Sequence, residues 1–382
     1  MAGESEPVHT PAAAPHAPQP EPGRRRRPLI LSASMGAGHD TVAAELARRA
    51  TVHGHEPHVF DVLRLLPHGL GTGLRRFYQA SVRHFPWMYA GIYRAFLRGG
   101  AWPRPSGVPL ARLAGGRLLE LVDRLEADVV LSVFHLAAQL TGDLRSRGAL
   151  PVPSDVFLLD FAVHRQWLHP GNDRYLCLTD EAASEVCRAL GRPVVTTGPV
   201  VAPEFLRPPP GATHWQERFA ARAPGRLPVL LSAGAWGAAS HPAATARLLV
   251  GAGYLPVVLC GRNERLLAQV SRVASAIALD WVDDMPGLLA ASYALLDNAA
   301  GQTAVQALAA GLPVVGFRPL PGHGTDGVRR MDALGLSEFA ADGPALLAAL
   351  DRLSRASWER ANRVARGHAL FRDDPMECVL RR

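Results

Sequence analysis

The sequence contains no lysine, so every one of its 41 strongly basic side chains is arginine. Against 34 acidic side chains this leaves a formal net charge of +7 and a pI near 9.8. A basic surface favours anionic partners, which here include nucleic acid, anionic lipid and the phosphates of a nucleotide sugar.

Long apolar runs and paired cysteines are also missing. No stretch of 18 apolar residues exists, so no transmembrane helix is predicted, and no secretory signal is visible. The four cysteines are scattered without metal-ligand spacing, which indicates reduced thiols in a cytosolic protein with no metal site. The sequence thus predicts a cytoplasmic protein, and the arginine run at residues 24–27 is either simply solvated or a membrane-surface anchor.

A chain of 382 residues with 48% hydrophobic content is long enough for two domains. A Pro-rich, Ala-rich start predicts a disordered tail, and the prolines after Leu206 indicate a linker. The predicted organisation is a tail (1–27), a first domain (28–205), a linker (206–226), a second domain (227–350) and a C-terminal helical segment (351–382).

Short apolar runs alternate with helical segments in both halves, which is typical of parallel α/β domains. The first half opens with a strand at 28–33, a glycine turn and a helix that starts at Asp40. The second half restarts with a strand at 227–232. Further strands are predicted at 58–62, 129–133, 156–159, 193–201, 254–260, 276–279, 294–298 and 313–317, and helices at 303–310 and 358–370.

The glycine turn carries Gly36 and Gly38 and ends in His39. Glycines at a strand-to-helix turn let a ligand approach the backbone, and the helix N-terminus offers free amides to an anion. The third glycine of the dinucleotide fingerprint is absent, so this signal is weak by itself. His39 is a candidate general base on an acceptor hydroxyl; a helix-capping or surface histidine is the alternative.

Polar side chains also follow two further predicted strands. Asp160, His164 and Trp167 follow one strand, and His135 follows another. Because ligands bind at the carboxyl edge of such sheets, Asp160 and His135 are candidate catalytic residues, with Asp160 either orienting a base or acting as one. A structural loop with a satisfied carboxylate is the competing interpretation.

The second half has its own candidate anion cradle. Gly301, Gln302 and Thr303 lead into a predicted helix whose amides could bind phosphates. The loop around His323 follows the next strand and could form another wall of the same pocket.

Residues 65–103 form a basic segment rich in aromatic side chains. Between residues 64 and 104 there are seven arginines and no acidic residue, and helical spacing predicts apolar and basic faces. Such a segment suits an anionic membrane surface. An ordinary helix packed on its domain is the alternative, and no RNA-binding motif accompanies the segment, so nucleic acid is not expected. The side chains predicted to face the membrane are Arg76, Phe77, Tyr78, Arg83 and Trp87.

These motifs, in this order, resemble the family of monogalactosyldiacylglycerol synthases and processive diacylglycerol glucosyltransferases, and more distantly the peptidoglycan N-acetylglucosaminyl transferase. The resemblance covers roughly residues 28–345. It is carried by the segment Ser32 to His39, by the block from Asp160 to Tyr175, by Thr197 to Val200 with Phe205, by Gly261 to Asn263, by Trp281 to Pro286, by the helix with Thr303, Ala307, Leu308, Gly311 and Pro313, and by Pro319, Pro321 and Gly322.

The resemblance implies a GT-B fold, in which two Rossmann-like domains face one another across a cleft. It implies a peripherally membrane-associated enzyme that transfers a sugar from a nucleotide sugar to a lipid hydroxyl with inversion, without a metal or other cofactor. In the first domain it places Gly36, Gly38, His164 and Trp167 in the acceptor loops. In the second it assigns donor binding to Gly234, Gly237, Arg262, Asn263, Val282, Met285, Gly301, Gln302, Thr303, Gln306 and His323.

The sequence departs from the family at the donor site. Asn298 and Ala300 stand where the family has Lys and Gly, and Gln306 stands where it has an acid for the ribose hydroxyls. These departures keep two other functions open: transfer to a non-lipid acceptor such as a secondary metabolite, and a non-catalytic protein that binds nucleotide sugars. A nucleotide-sugar epimerase, which shares the fold, is a weaker fourth possibility.

Overall fold

The computed structural model describes residues 25–97, 106–207, 213–353 and 357–381. Most of the predicted tail, the proline-rich part of the predicted linker and the end of the 65–103 segment lie outside the described residues. The domain boundaries given above stay predictions.

Six parallel strands form the first sheet, in the order β2-β1-β3-β4-β5-β6. Every residue of β1, β3 and β4 is buried, as expected for interior strands of a parallel sheet. We call this sheet and its helices the first domain. Its strands are β1 Pro28–Ser32, β2 His58–Asp61, β3 Val129–Ser132, β4 Ser154–Phe157, β5 Arg174–Cys177 and β6 Val194–Thr196.

The helices of the first domain lie between its strands, together with short 3-10 turns and one π-helical turn, Tyr93–Leu97. The helices are α1 Ala37–Val52, α2 Leu70–His84, α3 Pro86–Ile92, α4 Val108–Arg112, α5 Gly115–Arg124, α6 His135–Ser146, α7 Asp180–Leu190 and α8 Pro203–Leu206.

A second parallel sheet, in the order β12-β11-β10-β7-β8-β9, forms the second domain. Its strands are β7 Pro228–Ser232, β8 Leu255–Leu259, β9 Ile277–Leu279, β10 Ala294–Asp297, β11 Val314–Phe317 and β12 Ser337–Ala340. The helices that follow α8 are α9 Thr213–Arg222, α10 Pro242–Gly251, α11 Glu264–Ser271, α12 Met285–Ala290, α13 Gln302–Ala309, α14 His323–Ala333, α15 Gly343–Arg352, α16 Trp358–His368 and α17 Pro375–Leu380.

In each sheet the strand order reverses at one point, between β1 and β3 in the first and between β7 and β10 in the second. Ligands of open parallel sheets bind outside the carboxyl ends of the strands at this point. The loops that follow these four strands are therefore where a site is expected.

The predicted α/β class and the GT-B architecture are confirmed, with three differences in detail. Helix α1 begins at Ala37 and not at Asp40, so Gly38 and His39 belong to its first turn. Strands β5 and β12 were not predicted. The charged Arg174 and Glu338 lie within these two strands and leave only short apolar runs there.

The end of the chain returns to the first domain. Helix α17 packs on α1, and Arg49 of α1 pairs with Asp374 at 3.3 Å. Gly198, with φ of +79°, lies so close to this returning segment that an added Cβ would be 1.8 Å from the carbonyl oxygen of Leu370. Only glycine fits there, because both the backbone conformation and the space exclude a side chain.

Within the described ranges, no helix is both long and apolar enough to span a bilayer.

Candidate active site

A cavity of about 400 Å³ opens between the two domains, at the carboxyl edges of both sheets. It brings together most of the residues predicted from the sequence. From the first domain these are Gly36, Gly38, His39, Tyr78, His135, Asp160 and His164, and from the second they are Gly234, Val282, Met285, Gly301, Gln302, Thr303, Gln306 and His323.

The glycine turn joins β1 to α1 at the floor of this cavity. Gly36 has φ of +144°, a conformation that a residue with a side chain rarely adopts, and it precedes the first turn of α1. The Ser32 hydroxyl donates to Asp40 at 2.6 Å and ties the helix start to the end of the strand. Gly38 faces the second domain, where an added Cβ would be 3.4 Å from the Cβ of Gln302.

His39 is held by the backbone of the neighbouring strand loop. Its Nδ1 lies 2.8 Å from the carbonyl oxygen of Val133 and donates to it, and its ring meets Phe134 edge-on at 5.0 Å. Nε2 is therefore the nitrogen with a free lone pair. Burial lowers the pKa of His39, although the charge of Asp160 opposes this shift. A neutral imidazole with Nε2 free has the form that a general base requires.

Asp160 sits beside a buried aromatic pair. Its Oδ2 accepts a hydrogen bond from Trp167 Nε1 at 2.7 Å and lies 3.3 Å from Nε2 of His164. Burial alone would raise the pKa of Asp160, but the hydrogen bond and charge of His164, with the Trp167 bond, lower it below its ordinary value. Asp160 is thus a fixed anion, and its direct partners are His164 and Trp167.

Trp167 and His164 differ in what they offer to a ligand. Trp167 is fully buried and orients Asp160 from behind the cavity, so it is a supporting residue. His164 is 4% exposed and lines the cavity, and its Nδ1 has no hydrogen-bond partner within the described structure.

His135 is the first residue of α6, at the edge where β3 ends. Its ring packs on Phe134 at 4.2 Å and meets His164 edge-on at 5.2 Å. Burial, followed by the charges of His164 and His39, lowers the pKa of His135 well below its ordinary value. His135 is therefore a neutral group that can hydrogen-bond to a ligand in the cavity.

The wall of the cavity that the second domain contributes includes the turn between β10 and α13. Asp297 is buried and accepts hydrogen bonds from the amides of Ala299 at 3.0 Å and Ala300 at 2.5 Å. The first amides of α13, from Gln302 onward, have no acceptor within the helix, and Gln302 and Thr303 line the cavity. Gln302 itself donates from Nε2 to the carbonyl oxygen of Val200 at 2.8 Å and thereby links the two domains.

The residues that differ from the family pattern have structural roles in this chain. Asn298 donates from Nδ2 to the carbonyl oxygen of Ala238 at 3.0 Å and so holds the loop after β7. Ala300 has φ of +52°, the conformation that glycine adopts without strain. Gln306 lines the cavity at the second turn of α13.

Three residues predicted to bind the donor act behind the cavity wall instead. Asn263 caps α11 and donates to the carbonyl oxygen of Gly237 at 3.2 Å, and an added Cβ at Gly237 would be 2.4 Å from that of Asn263. Arg262 lies over the ring of Trp281 at 4.9 Å, and Trp281 itself lines the cavity. The side chains of Arg262 and Asn263 pack against neighbouring loop residues, so they shape the cavity wall and do not themselves line it.

The prediction that Tyr78 faces the membrane is wrong. Tyr78 lines the cavity, with its ring 5.6 Å from Trp236 of the second domain and 5.4 Å from Tyr89. Its apolar neighbours along α2 divide between two sides: Val82 also lines the cavity, whereas Phe77 is 50% exposed. Arg76 and Trp87 are exposed, and Arg83 is half-buried. The side chains predicted to lie together on a membrane-facing side therefore divide between the cavity and the solvent.

Tyr89, Trp236 and the carbonyl of Val133 are parts of the site that sequence reasoning did not assign. Aromatic side chains in helices and turns are common in ordinary cores, so the sequence offered no signal that separates these two residues from core residues. A backbone carbonyl leaves no sequence signal at all.

Within the part of the chain that the structure describes, no group of three or more His, Cys, Asp or Glu side chains could hold a metal ion.

Known proteins resemble the chain in sequence and in fold. Residues 39–201 match the model of the monogalactosyldiacylglycerol (MGDG) synthase family. The processive diacylglycerol beta-glucosyltransferase of Bacillus subtilis is 23% identical over 311 residues, which cover 78% of this chain and 79% of the relative. The protein of the same name from Bacillus cereus (strain B4264) is 24% identical over 341 residues, covering 85% and 84%.

Solved structures show the same fold at lower identity. Acinetobacter baumannii MurG superposes with a TM-score of 0.56 at 14% identity, covering 94% of this chain and 98% of that one. Arabidopsis thaliana UGT89C1, complexed with UDP-L-rhamnose, superposes with a TM-score of 0.60 at 12% identity, with the same coverage. The chain is therefore a glycosyltransferase of the GT-B fold, and its sequence is similar to the monogalactosyldiacylglycerol synthases and to processive diacylglycerol beta-glucosyltransferases.

Proposed function

We propose that the protein transfers a hexosyl group from a UDP-sugar to a lipid hydroxyl such as that of diacylglycerol, with inversion at the anomeric carbon. One observation carries this proposal. His39, with Nδ1 bound to Val133 and Nε2 free, lines the same cavity as the N-terminus of α13. A base on the first domain and a helix N-terminus on the second, both lining one cavity, suit direct displacement of a nucleoside diphosphate.

In the proposed reaction, Nε2 of His39 takes the proton of the acceptor hydroxyl as its oxygen attacks the anomeric carbon. The bond from that carbon to the diphosphate oxygen breaks, and the nucleoside diphosphate leaves with the electron pair. Amides at the start of α13 would stabilise its charge, so the reaction is proposed to need no metal. Attack from the side opposite the leaving group inverts the anomeric carbon.

A lipid acceptor is supported by the relatives named diacylglycerol glucosyltransferases and by two surfaces of the 65–97 segment. Its inner side, with Val82 and Leu97, continues the apolar wall of the cavity. Its outer side exposes large apolar groups among arginines: Leu70, Phe77, Phe85, Trp87 and Phe96 are 41–72% exposed. Aromatic and basic groups together suit the interface of an anionic bilayer, so peripheral membrane attachment is part of the proposal.

A UDP-sugar donor is supported by the apolar wall that Val282 and Met285 form at the end of the second sheet and by the aromatic ring of Trp281. UGT89C1, which shares the fold, is complexed with a UDP-sugar.

The test is mass spectrometry of reactions that contain anionic liposomes with diacylglycerol and a panel of nucleotide sugars. A glycosylated diacylglycerol is the expected product. Donor binding without any glycolipid would contradict the lipid acceptor, and no donor binding at all would contradict the donor assignment.

A further inference from the structure

The inner side of α3 and the π-helical turn contacts the second domain. Tyr89 is 6% exposed and Tyr93 is 3% exposed, and both pack on the start of α14. The fit is tight, since an added Cβ at Gly322 would be 2.8 Å from Cγ of Tyr93 and 3.3 Å from Cε1 of Tyr89. The first domain therefore fixes the loop that precedes α14.

Tyr89 makes a specific polar contact in this junction. Its hydroxyl lies 2.6 Å from Nδ1 of His323, and the two rings meet edge-on at 5.6 Å. His323 lines the cavity, so Nε2 is the ring nitrogen left for a ligand. The Tyr89 contact fixes the direction of the imidazole, whether the hydroxyl donates to Nδ1 or accepts from it.

His323 lines the same cavity as His39 and the start of α13. The start of α14 adjoins the turn before α13, since an added Cβ at Gly324 would be 2.8 Å from the carbonyl oxygen of Asn298. In the proposed reaction the donor sugar lies between the diphosphate at α13 and His39, and a cavity-lining residue next to that turn is within the region that the sugar would occupy. Burial lowers the pKa of His323, so the ring is neutral and suited to a hydrogen bond with a hydroxyl.

We propose that Tyr89, a residue of the acceptor domain, is a positioning residue that holds His323 so that Nε2 binds a hydroxyl of the donor sugar. This inference rests on the proposed function, because it requires a nucleotide-sugar donor. The donor sugar is thereby recognised only when both domains and the aromatic segment are assembled.

The experiment compares the binding of UDP with that of UDP-glucose and UDP-galactose by calorimetry on the full chain. For the wild type we expect at least one sugar nucleotide to bind more tightly than UDP. Tyr89→Phe removes the hydroxyl and keeps the ring. It should reduce this preference about 3- to 10-fold, the size of one neutral hydrogen bond, while affinity for UDP stays unchanged.

A double-mutant cycle separates positioning from packing. His323→Ala should remove the same preference, and Tyr89→Phe should have no further effect in that background. Tyr93→Phe is the matched control, because Tyr93 donates at 3.0 Å to Asp326, which does not line the cavity. It should leave the preference for the sugar nucleotide intact.

Two results would overturn the inference. Additive effects of Tyr89→Phe and His323→Ala would show that Tyr89 acts by packing. An unchanged preference in His323→Ala would show that the sugar lies elsewhere. Failure of the proposed function gives a different result, in which the wild type binds neither UDP nor a sugar nucleotide.

Discussion

Nδ1 of His39 donates to the carbonyl oxygen of Val133 across 2.8 Å, so that the loop after β3 orients a side chain on the helix after β1. The two strands are neighbours at the point where the strand order reverses. The topology of the sheet thus selects the tautomer of the proposed base.

His39→Ala should lower kcat about 10²-fold or more, which is the usual scale for a general base. Affinity for the donor should change little, because the contacts of the diphosphate come from the second domain. Steady-state kinetics with a separate binding measurement checks both. A kcat within a few-fold of the wild type would remove His39 from the mechanism.

The acid limb of the pH profile, where kcat/KM falls as the pH decreases, should lie below the ordinary pKa of histidine. The neutral form of His39 is the active one, and burial disfavours its charged form, so protonation inhibits only below pH 6.5. kcat/KM should be flat from pH 7 to that limb and then fall about tenfold per pH unit. A midpoint above 6.5 would contradict the burial of the base.

Asp160→Asn should move that limb to still lower pH, because the charge of Asp160 raises the pKa of His39. The pH dependence of kcat/KM for this variant measures the effect. A limb that stays in place or moves upward would mean that the carboxylate does not act on the base.

Gly301→Val should reduce donor affinity by about 10²-fold, the scale of one or two lost charge-assisted hydrogen bonds. Gly301 has φ of −94° and an added Cβ would meet nothing within 4 Å, so the chain should still fold. Gly116→Val is the control, since it also enters open space, away from the cavity. Normal UDP-sugar affinity in Gly301→Val would contradict the assignment of the phosphate cradle.

Trp87→Ala should weaken binding to anionic liposomes, and added salt should weaken wild-type binding because arginine attraction is screened. Trp358→Ala is matched to it, because Trp87 is 72% and Trp358 is 76% exposed while Trp358 lies on α16. Sedimentation with liposomes should distinguish the two variants. Equal losses, or none, would indicate that the 65–97 segment is not the membrane face.

Gly198→Ala should destabilise the fold by about 2–4 kcal/mol, because it adds a clash with Leu370 to a left-handed conformation. Gly191→Ala is the comparison, since Gly191 has φ of +60° and open space; strain alone should cost about 1 kcal/mol. Denaturant unfolding measures both. Equal decreases in the free energy of unfolding for the two variants would contradict the close packing of Gly198 against Leu370.

The sequence was sufficient to predict the α/β architecture, because nearly every strand is a short apolar run that needs no partner to be recognised. It also placed His39 and Asp160 at strand ends of the first sheet and Gly301 at a strand end of the second, and parallel topology brings the strand ends within each sheet to one edge. Such predictions depend on local pattern and on a general property of parallel sheets.

What the sequence did not reveal depends on contacts between distant segments. Tyr78 and Phe77 are adjacent in an apolar stripe, yet one packs against Trp236 and the other faces solvent. Helical periodicity predicts the side of a helix on which a residue lies, but not which distant segment packs against that side. For the same reason the Tyr89 contact with His323, 234 residues away, could not be predicted.

The most direct test of the central claim is the product formed from a UDP-sugar and diacylglycerol in anionic liposomes, identified by mass spectrometry and by NMR at the anomeric carbon. We expect a diacylglycerol glycoside of inverted anomeric configuration, formed by the wild type and nearly absent with His39→Ala. A retained configuration, or a donor that binds without any glycosylated lipid appearing, would contradict it.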